Sequence, residues 1–313
     1  RVMSYGDYPD DAYTGIADGD YHKKCIVRSN GVVENFALGV DKATFIPLEG
    51  KDFMDPQYLS EEVDHSWFAY PDGTSTLHPL DGVTDPKFTG PKSGTKEKWE
   101  YLDEDKKYSW IKSPTFKGKT AEVGPLAKYI VVYTKVKQGI ITDPTWAESM
   151  MVRQIDTVSQ VLGVPAHVWM TTMVGRTACR GLDAQVASNI SQYFFDKLVA
   201  NIKNGDTTVA DTSKFEPNKW PKDAKGVGLV DAPRGGLGHW IHIKDGRSAN
   251  YQCIVPSTWN ACPKTAANEH GAYEDSMIDT HVKIADKPLE ILKVIHSFDP
   301  CLACATHLYN KKG

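Results

Sequence analysis

The chain has 313 residues, 41% hydrophobic and 24% charged, with a formal net charge of −4 and an isoelectric point near 6.2. That composition is ordinary for a globular protein; its mild acidity offers no electrostatic footprint for a nucleic-acid partner, and no apolar run approaches the roughly 20 residues of a membrane span. Six cysteines are too few to serve as a disulfide scaffold, and Cys25, Cys179 and Cys262 read as buried, inert thiols.

Residues 1–125 are rich in Gly, Pro, Asp and aromatics, which predicts an irregular, β-rich part. Tyr21 to Phe36 alternates as strands do, around a Ser29-Asn30-Gly31 turn. Pro71-Asp72-Gly73 and Asp81-Gly82 mark further turns. The Lys-rich stretch from Pro86 to Trp110 reads as an exposed excursion. Residues 126–313 predict a helical core, a small antiparallel element and a C-terminal metal motif, continuous with the first part as one domain. Asp143-Pro144-Thr145 caps a helix to Leu162, with Met150, Met151, Ile155, Val158 and Val161 on one face and Gly163 as its stop. Pro165 opens a second helical segment reaching Gly175. A third runs from about Thr177 to Ile202; its stripe of Val186, Ile190, Tyr193, Phe194, Leu198 and Ile202 predicts a core helix, ended by Asn204-Gly205. Residues 206–224 read as a polar loop. Short strands follow over 226–230, 238–244 and 248–255, with Asp245-Gly246 as a hairpin turn. They would hold Arg234 and Ser257 on loops at one end of the small sheet. A last helix, about Pro288 to His296, leads into the final motif. The fold class is mainly α with a minor antiparallel β element (α+β).

Three segments carry chemistry. In Asp299-Pro300-Cys301-Leu302-Ala303-Cys304-Ala305-Thr306-His307, two cysteines sit three apart with a histidine three further on. Asp299 and Pro300 suit the N-cap and first position of a helix, and residues three apart share a helix face, so both sulfurs can reach one centre. A helix N-terminus favours the thiolate that binds soft metals. The same spacing serves a structural zinc site or a redox dithiol, and at this level the three stay open. Asp231-Ala232-Pro233-Arg234-Gly235-Gly236-Leu237-Gly238-His239-Trp240 sets one cation among glycines that permit close backbone approach; its guanidinium can present several donors to an anion, or it is a solvated turn residue. His239, beside Trp240, reads as a satisfied core histidine. The third segment is Gln252-Cys253-Ile254-Val255-Pro256-Ser257-Thr258-Trp259-Asn260.

Together these segments resemble the large, catalytic subunit of nickel–iron hydrogenases, most of all the membrane-associated respiratory uptake group. His65-Ser66-Trp67, Glu122-Val123-Gly124-Pro125-Leu126-Ala127 and Gly175-Arg176-Thr177-Ala178 are further family-like stretches, and the resemblance runs from about Asp18 to His307. It implies a nickel–iron centre that cleaves H₂ heterolytically, with carbon monoxide and cyanide on the iron. Cys301 would be a terminal nickel thiolate and Cys304 a bridge between the metals. Arg234 and Ser257 would each hold a cyanide, the segment Gln252 to Asn260 would line the iron's diatomic ligands, and Pro233 would belong to the cofactor-binding arginine loop. Arg234 would also overhang the open position as base or fixed charge, and Asp299 could pair with it. His307 and the backbone carbonyl of Cys253 would bind magnesium. Arg176 and Arg180 would form buried ion pairs near the site or reach the partner.

The implied partners are a small subunit carrying iron–sulfur clusters, through it a membrane cytochrome b, and a maturation protease or chaperone. The implied location is the periplasmic side of the cytoplasmic membrane, reached by export with the small subunit. One departure matters. The family binds its metals through four cysteines, and the Arg-x-Cys-x-x-Cys motif of the other pair does not occur in these 313 residues. The chain therefore reads as a C-terminal portion of a longer subunit, unprocessed after His307 and inactive alone. The alternatives are a metal-free precursor that only docks partners, and a small structural zinc site.

Overall fold

The computed structural model describes residues 40–41, 46–47, 54–90 and 103–306, apart from 104, 117, 138, 140, 171, 214 and 279. The strands expected over Tyr21 to Phe36, Cys25, and the tail from His307 onward lie outside the described residues.

The first part is built from short antiparallel strands. β1 (Val40–Asp41) pairs with β2 (Ile46–Pro47), and β4 (Phe68–Ala69) with β6 (Asp85–Pro86). β3 (Leu59–Glu62) lies between β5 (Thr76–Leu77) and β7 (Ser113–Phe116). The turns expected at Gly73 and Gly82 are present, closed by bonds from their amides to the carbonyls of Tyr70 and His78. The stretch from Pro86 to Trp110 is only partly an excursion. Phe88 is exposed, but Lys107 is embedded: its ammonium donates to the carbonyls of Val63, Ser66 and Phe68.

The helical part begins with α1 (Pro125–Lys137), which contributes buried Leu126, Tyr129 and Ile130. α2 (Trp146–Leu162) starts where Thr145 and Glu148 form a reciprocal capping box and stops at Gly163, which is left-handed (φ 68°). Met151 and Ile155 are buried as expected, whereas Val161 is 80% exposed because it lies in the last turn, past the elements that cover the helix. α3 (Ala166–Met170) is a single short helix, and α4 (Met173–Lys203) begins earlier than expected, capped by Thr172. Gly175 therefore does not end a helix. It sits in the first turn of α4, where a Cβ would lie 2.0 Å from the Trp169 carbonyl oxygen. The first half of α4 packs through Cys179, Val186 and Ile190 against α1 and α2. The second half does not follow expectation: Tyr193, Phe194, Leu198 and Ile202 are all at least 43% exposed.

The second sheet orders β10 (Arg247–Ile254), β9 (Gly235–Lys244) and β8 (Asp223–Ala232). Its strands are longer than the sequence suggests, and Asp245 and Gly246, both at positive φ, make the expected tight turn. α5 (Pro256–Asn260) follows β10 directly, with Pro256 in its first turn. α6 (Ala272–Met277) and α7 (Leu289–Ser297) precede the short α8 (Leu302–Ala305).

One apolar cluster joins Leu59, Leu80 and Phe116 of the first part to Trp240, Ile254 and Trp259 of the second. A second unites α1–α4 around Trp169, and a smaller one joins Tyr273, Val294 and Phe298. Burying a tryptophan such as Trp169, Trp240 or Trp259, each 1% exposed, removes ~150–250 Å² from water, ~4–6 kcal/mol at about 25 cal/mol/Å². The architecture is α+β with antiparallel sheets, and the same cluster that holds it together carries the β9–β10 edge from which the site is built.

Candidate functional site

The site forms where three separated segments meet. The first is the β8–β9 turn. Ala232 pairs with Gly235, so Pro233 and Arg234 are the two tip residues. Gly235 has φ +123°, and a Cβ there would lie 2.5 Å from the Gly124 amide nitrogen, so the turn is seated on the Val123-Gly124 backbone. That backbone is fixed in turn by Asn260. Its amide accepts from the Val123 N–H at 2.8 Å and donates to the Val123 carbonyl at 2.9 Å, while fully buried. The second segment is the start of α5, where buried Ser257 accepts the Cys301 N–H at 3.0 Å. The third is the chain from Ser297 to Thr306, anchored at its far end by the Thr306 hydroxyl on the Trp110 carbonyl at 2.5 Å.

Arg234 and Asp299 meet across the site. Arg234 Nε donates to the Asp299 backbone oxygen at 2.7 Å and lies 3.0 Å from its carboxylate Oδ2. Both side chains are about 40% exposed (37% and 42%), so the pair is worth about 0–1 kcal/mol; its effect is on placement. Both contacts run through Nε, leaving the terminal N–H groups of Arg234 without a partner among the described residues. The helix-capping role anticipated for Asp299 is absent. Asp299 takes φ 55°, Cys301 is the residue before α8, and no side chain caps that helix. The carboxylate is committed to Arg234, and a left-handed residue at 299 postpones the helix to Leu302.

Cys301 and Cys304 are brought together, with Cα atoms 5.4 Å apart and their sulfurs joined as a disulfide. Metal binding at this pair requires its reduction to two thiolates. Among the described residues no cluster of three or more His, Cys, Asp and Glu stands ready as a complete metal site. The pair fits a nickel–iron centre in donor type, since soft thiolates suit nickel, and accounts for two of the four sulfurs such a centre requires.

Behind the cysteine segment is a charged frame, in which Arg176 forms the buried ion pair near the site that the resemblance implies. Arg176 and Glu122, both 2% exposed, pair at 2.9 Å. Arg176 also donates to the Ser297 hydroxyl at 2.9 Å and stacks 3.8 Å from the Phe298 ring centroid. Arg180 donates to the Ser297 carbonyl at 2.6 Å. Burial lowers its guanidinium pKa, with the Asp299 charge opposing. Two arginines one helical turn apart thus grip the residues that enter the Asp299 turn. The available signal was the Gly175-Arg176 pair and Glu122 before Gly124-Pro125, but only the fold shows that they meet.

A second buried charge lies beside Cys253. Glu61, 1% exposed, accepts from Lys112 at 2.6 Å and Gln252 at 3.1 Å through one oxygen, while its other oxygen, Oε1, has no hydrogen-bond partner. Cys253 itself sits in β10 opposite His239, and its thiol is pushed up, first by burial and then by the Glu61 charge. His239 is half-buried and hydrogen-bonded to Tyr251. Cys179 and Cys262 are buried and take no part in a disulfide, and burial raises the Cys179 pKa strongly. His307 lies outside the described residues.

The chain is 44% identical over 315 residues to the uptake hydrogenase large subunit of Rhizobium leguminosarum bv. viciae, covering 100% of this chain and 49% of that protein. It is 41% identical over 313 residues to the hydrogenase-1 large chain of Escherichia coli (strain K12), covering 100% and 48%. Among solved structures, a [NiFeSe]-hydrogenase chain from Dm. baculatum superposes with a TM-score of 0.60 at 27% identity, over 81% of this chain and 45% of that one. A Ni-Fe-Se hydrogenase chain from D. vulgaris Hildenborough gives 0.56 at 26% identity, over 84% and 46%. The chain thus spans about half the length of the curated relatives it matches. Residues 1–307 match the description of nickel-dependent hydrogenases, and the chain belongs to that family.

Proposed function

We propose that this chain supplies the arginine loop and one cysteine pair of a nickel–iron uptake hydrogenase. Its substrate is H₂, and its electrons pass to a small subunit with iron–sulfur clusters. The observation that carries this reading is the convergence of Arg234, Ser257 and the Cys301–Cys304 pair on one spot, from three separate segments.

When bound, the nickel–iron group supplies the heterolytic cleavage of H₂. The protein's own residues do the rest. Cys301 and Cys304, once reduced, hold the metals and can take up a proton as thiolates. Asp299 fixes Arg234 through Nε, so the terminal N–H groups remain for an anionic ligand such as cyanide. Ser257 accepts from the Cys301 amide and still has its hydroxyl proton to donate to a second cyanide. The iron would also carry carbon monoxide, a ligand that no side chain supplies. Arg234, fixed through Nε by Asp299, acts in this reading as a fixed charge rather than a base. Magnesium, an oxygen-seeking ion, would use the Cys253 carbonyl and His307. The orphaned Glu61 Oε1, on the strand-packed residue bonded to neighbouring Gln252, supports a cation nearby. The wider setting proposed is peripheral, on the periplasmic side of the cytoplasmic membrane. There the small subunit links the enzyme to a membrane cytochrome b, after a maturation protease or chaperone has acted.

The test is metal and infrared analysis of the subunit produced with its maturation machinery. Matched nickel and iron, with infrared bands of carbon monoxide and cyanide that vanish in Cys301→Ser, are the expected result. Zinc bound through Cys301 and Cys304, with no such bands, would replace this reading by a structural zinc site.

A further inference from the structure

α4 presents a charged stripe to the site. Arg176, Arg180 and Asp183 recur at the i, i+4, i+7 spacing of one helix face. The two arginines hold the cysteine segment at Ser297. Asp183 reaches the other half of the site through Lys128, whose ammonium lies 2.7 Å from Asp183 Oδ1 and 2.9 Å from Asp231 Oδ2. The Lys128 side chain is 21% exposed. Burial by itself would lower its pKa, but the two carboxylates outweigh burial and raise it, so the ammonium stays charged. Asp231 pairs with Gly236 in the ladder that closes the Pro233-Arg234 turn.

That turn meets α1 at two points. At the first, backbone lies on backbone: a Cβ on Gly124 would come 3.1 Å from the Arg234 carbonyl oxygen, and one on Gly235 would come 2.5 Å from the Gly124 nitrogen. One backbone contact fixes where the turn sits and leaves it free to pivot. Lys128 supplies the second point. It stands in the first turn of α1, its own N–H on the Gly124 carbonyl at 3.0 Å. The tie from Arg234 to Asp299 does not set the tilt of the turn by itself, because both side chains are well exposed and such a pair is weak.

We infer that Lys128 is a positioning residue for Arg234. By bridging Asp183 and Asp231 it ties the arginine turn to the face of α4 that also holds the cysteine segment. It thereby sets how the terminal N–H groups of Arg234 stand relative to Asp299 and Cys301. That these groups face a metal-bound anion rests on the function proposed above; the bridge itself does not.

Two readouts test this. In the metal-free 313-residue chain, nitrogen NMR follows the Arg234 Nε–H, which donates to the Asp299 backbone oxygen. In Lys128→Met and in Asp231→Ala its exchange with water should quicken by about 10-fold or more. Lys128→Arg should restore the parent rate, since a guanidinium can also span two carboxylates. Asp231→Ala keeps the test alive should the lysine variant fail to fold, because Asp231 is an exposed strand residue. Lys137→Met breaks an exposed pair with Asp156 at the far end of α1 and should leave the rate unchanged. In the complete, metal-loaded enzyme, Lys128→Met and Asp231→Ala should keep nickel and iron and shift the cyanide infrared bands. They should lower kcat for H₂ about 10–100-fold with KM unchanged, the loss expected from displacing a group at the reacting centre by about 1 Å. Unchanged Nε–H exchange in both variants, or an equal change in Lys137→Met, would overturn the inference. So would parental kcat and cyanide bands in the loaded variants. A parent that takes up no nickel and iron, with the exchange effect intact, would overturn the proposed function instead and leave the positioning role supported.

Discussion

Replacing Arg176 by Met tests whether the buried frame behind the cysteine segment has the energetic character its geometry implies. The guanidinium of Arg176 pairs with Glu122 in a space where both side chains are 2% exposed. Methionine fills a similar volume but leaves the carboxylate without its cation. Breaking one partner of a buried pair costs about 3–5 kcal/mol, whereas replacing both by apolar residues is often neutral. Set against a domain stability of about 5–15 kcal/mol, the single change would remove a large part of the folding free energy. It would also release the Ser297 hydroxyl and the Phe298 ring face. Urea unfolding of the chain, Arg176→Met, Glu122→Leu and the double variant closes the cycle. The expected outcome is two strongly destabilised single variants and a double variant that recovers most of the loss. If Arg176→Met shifts stability by less than about 1 kcal/mol, or if the two losses simply add, the pair is solvated and the argument fails.

Arg234→Lys in the complete, metal-loaded enzyme should keep its nickel and iron but lose about 10²-fold or more in H₂ oxidation, since lysine cannot reproduce the fixed donor fork; near-normal turnover would show that Arg234 is only a turn residue. Thr145→Ala removes the capping box of α2 and should lower stability by about 1 kcal/mol in thermal unfolding, with no effect on metal content; an unchanged melting temperature would refute the cap. Glu274 is held above the usual carboxylate range, first by burial, with Tyr108 donating to it and opposing the shift. Because the fold prefers its neutral form, its favourable contribution is complete at low pH and is lost as pH rises through its raised pKa. Glu274→Gln should therefore match the parent in acid and exceed it near neutrality, and a constant difference across pH would contradict the assignment.

Local signals in the sequence were accurate where the physics is local. Thr145, Glu148 and Gly163 specify α2 within four residues of either end, and Asp245-Gly246 specifies its hairpin turn, because caps and tight turns depend on neighbours in the chain. The chemistry around Arg234, Ser257 and Cys301 was legible only through the resemblance to a family, since the cysteine spacing by itself serves a zinc site or a redox dithiol equally well. What failed was anything decided by a distant partner. Judged from its neighbours alone Asp299 looks like a helix cap; its pairing with Arg234, sixty-five residues away, was expected only from the family resemblance. Gly175 looks like a helix stop until the Trp169 carbonyl explains why no Cβ fits there. The aromatic stripe of α4 looks like core throughout, and periodicity has no means of telling a covered half from an uncovered one. Glu61 and Lys112 carry no sequence signature at all; a buried pair is visible only after β3 and β7 have brought their neighbourhoods together.

The contacts that organise the site share one property: Arg234–Asp299, Arg176–Ser297 and Asn260–Val123 join residues 65, 121 and 137 positions apart. Loop closure must precede each of them, and contacts of this range form slowly compared with helices and hairpins. During refolding, α2, the start of α4 and the β9–β10 hairpin can therefore acquire structure while the cysteine segment is still open. Throughout that interval the sulfurs of Cys301 and Cys304 are accessible to reductants, to metal carriers and to each other. The order of folding events thus leaves the pair open to loading and reduction while its scaffold assembles, and Cys304, exposed in the folded chain, stays within reach afterwards.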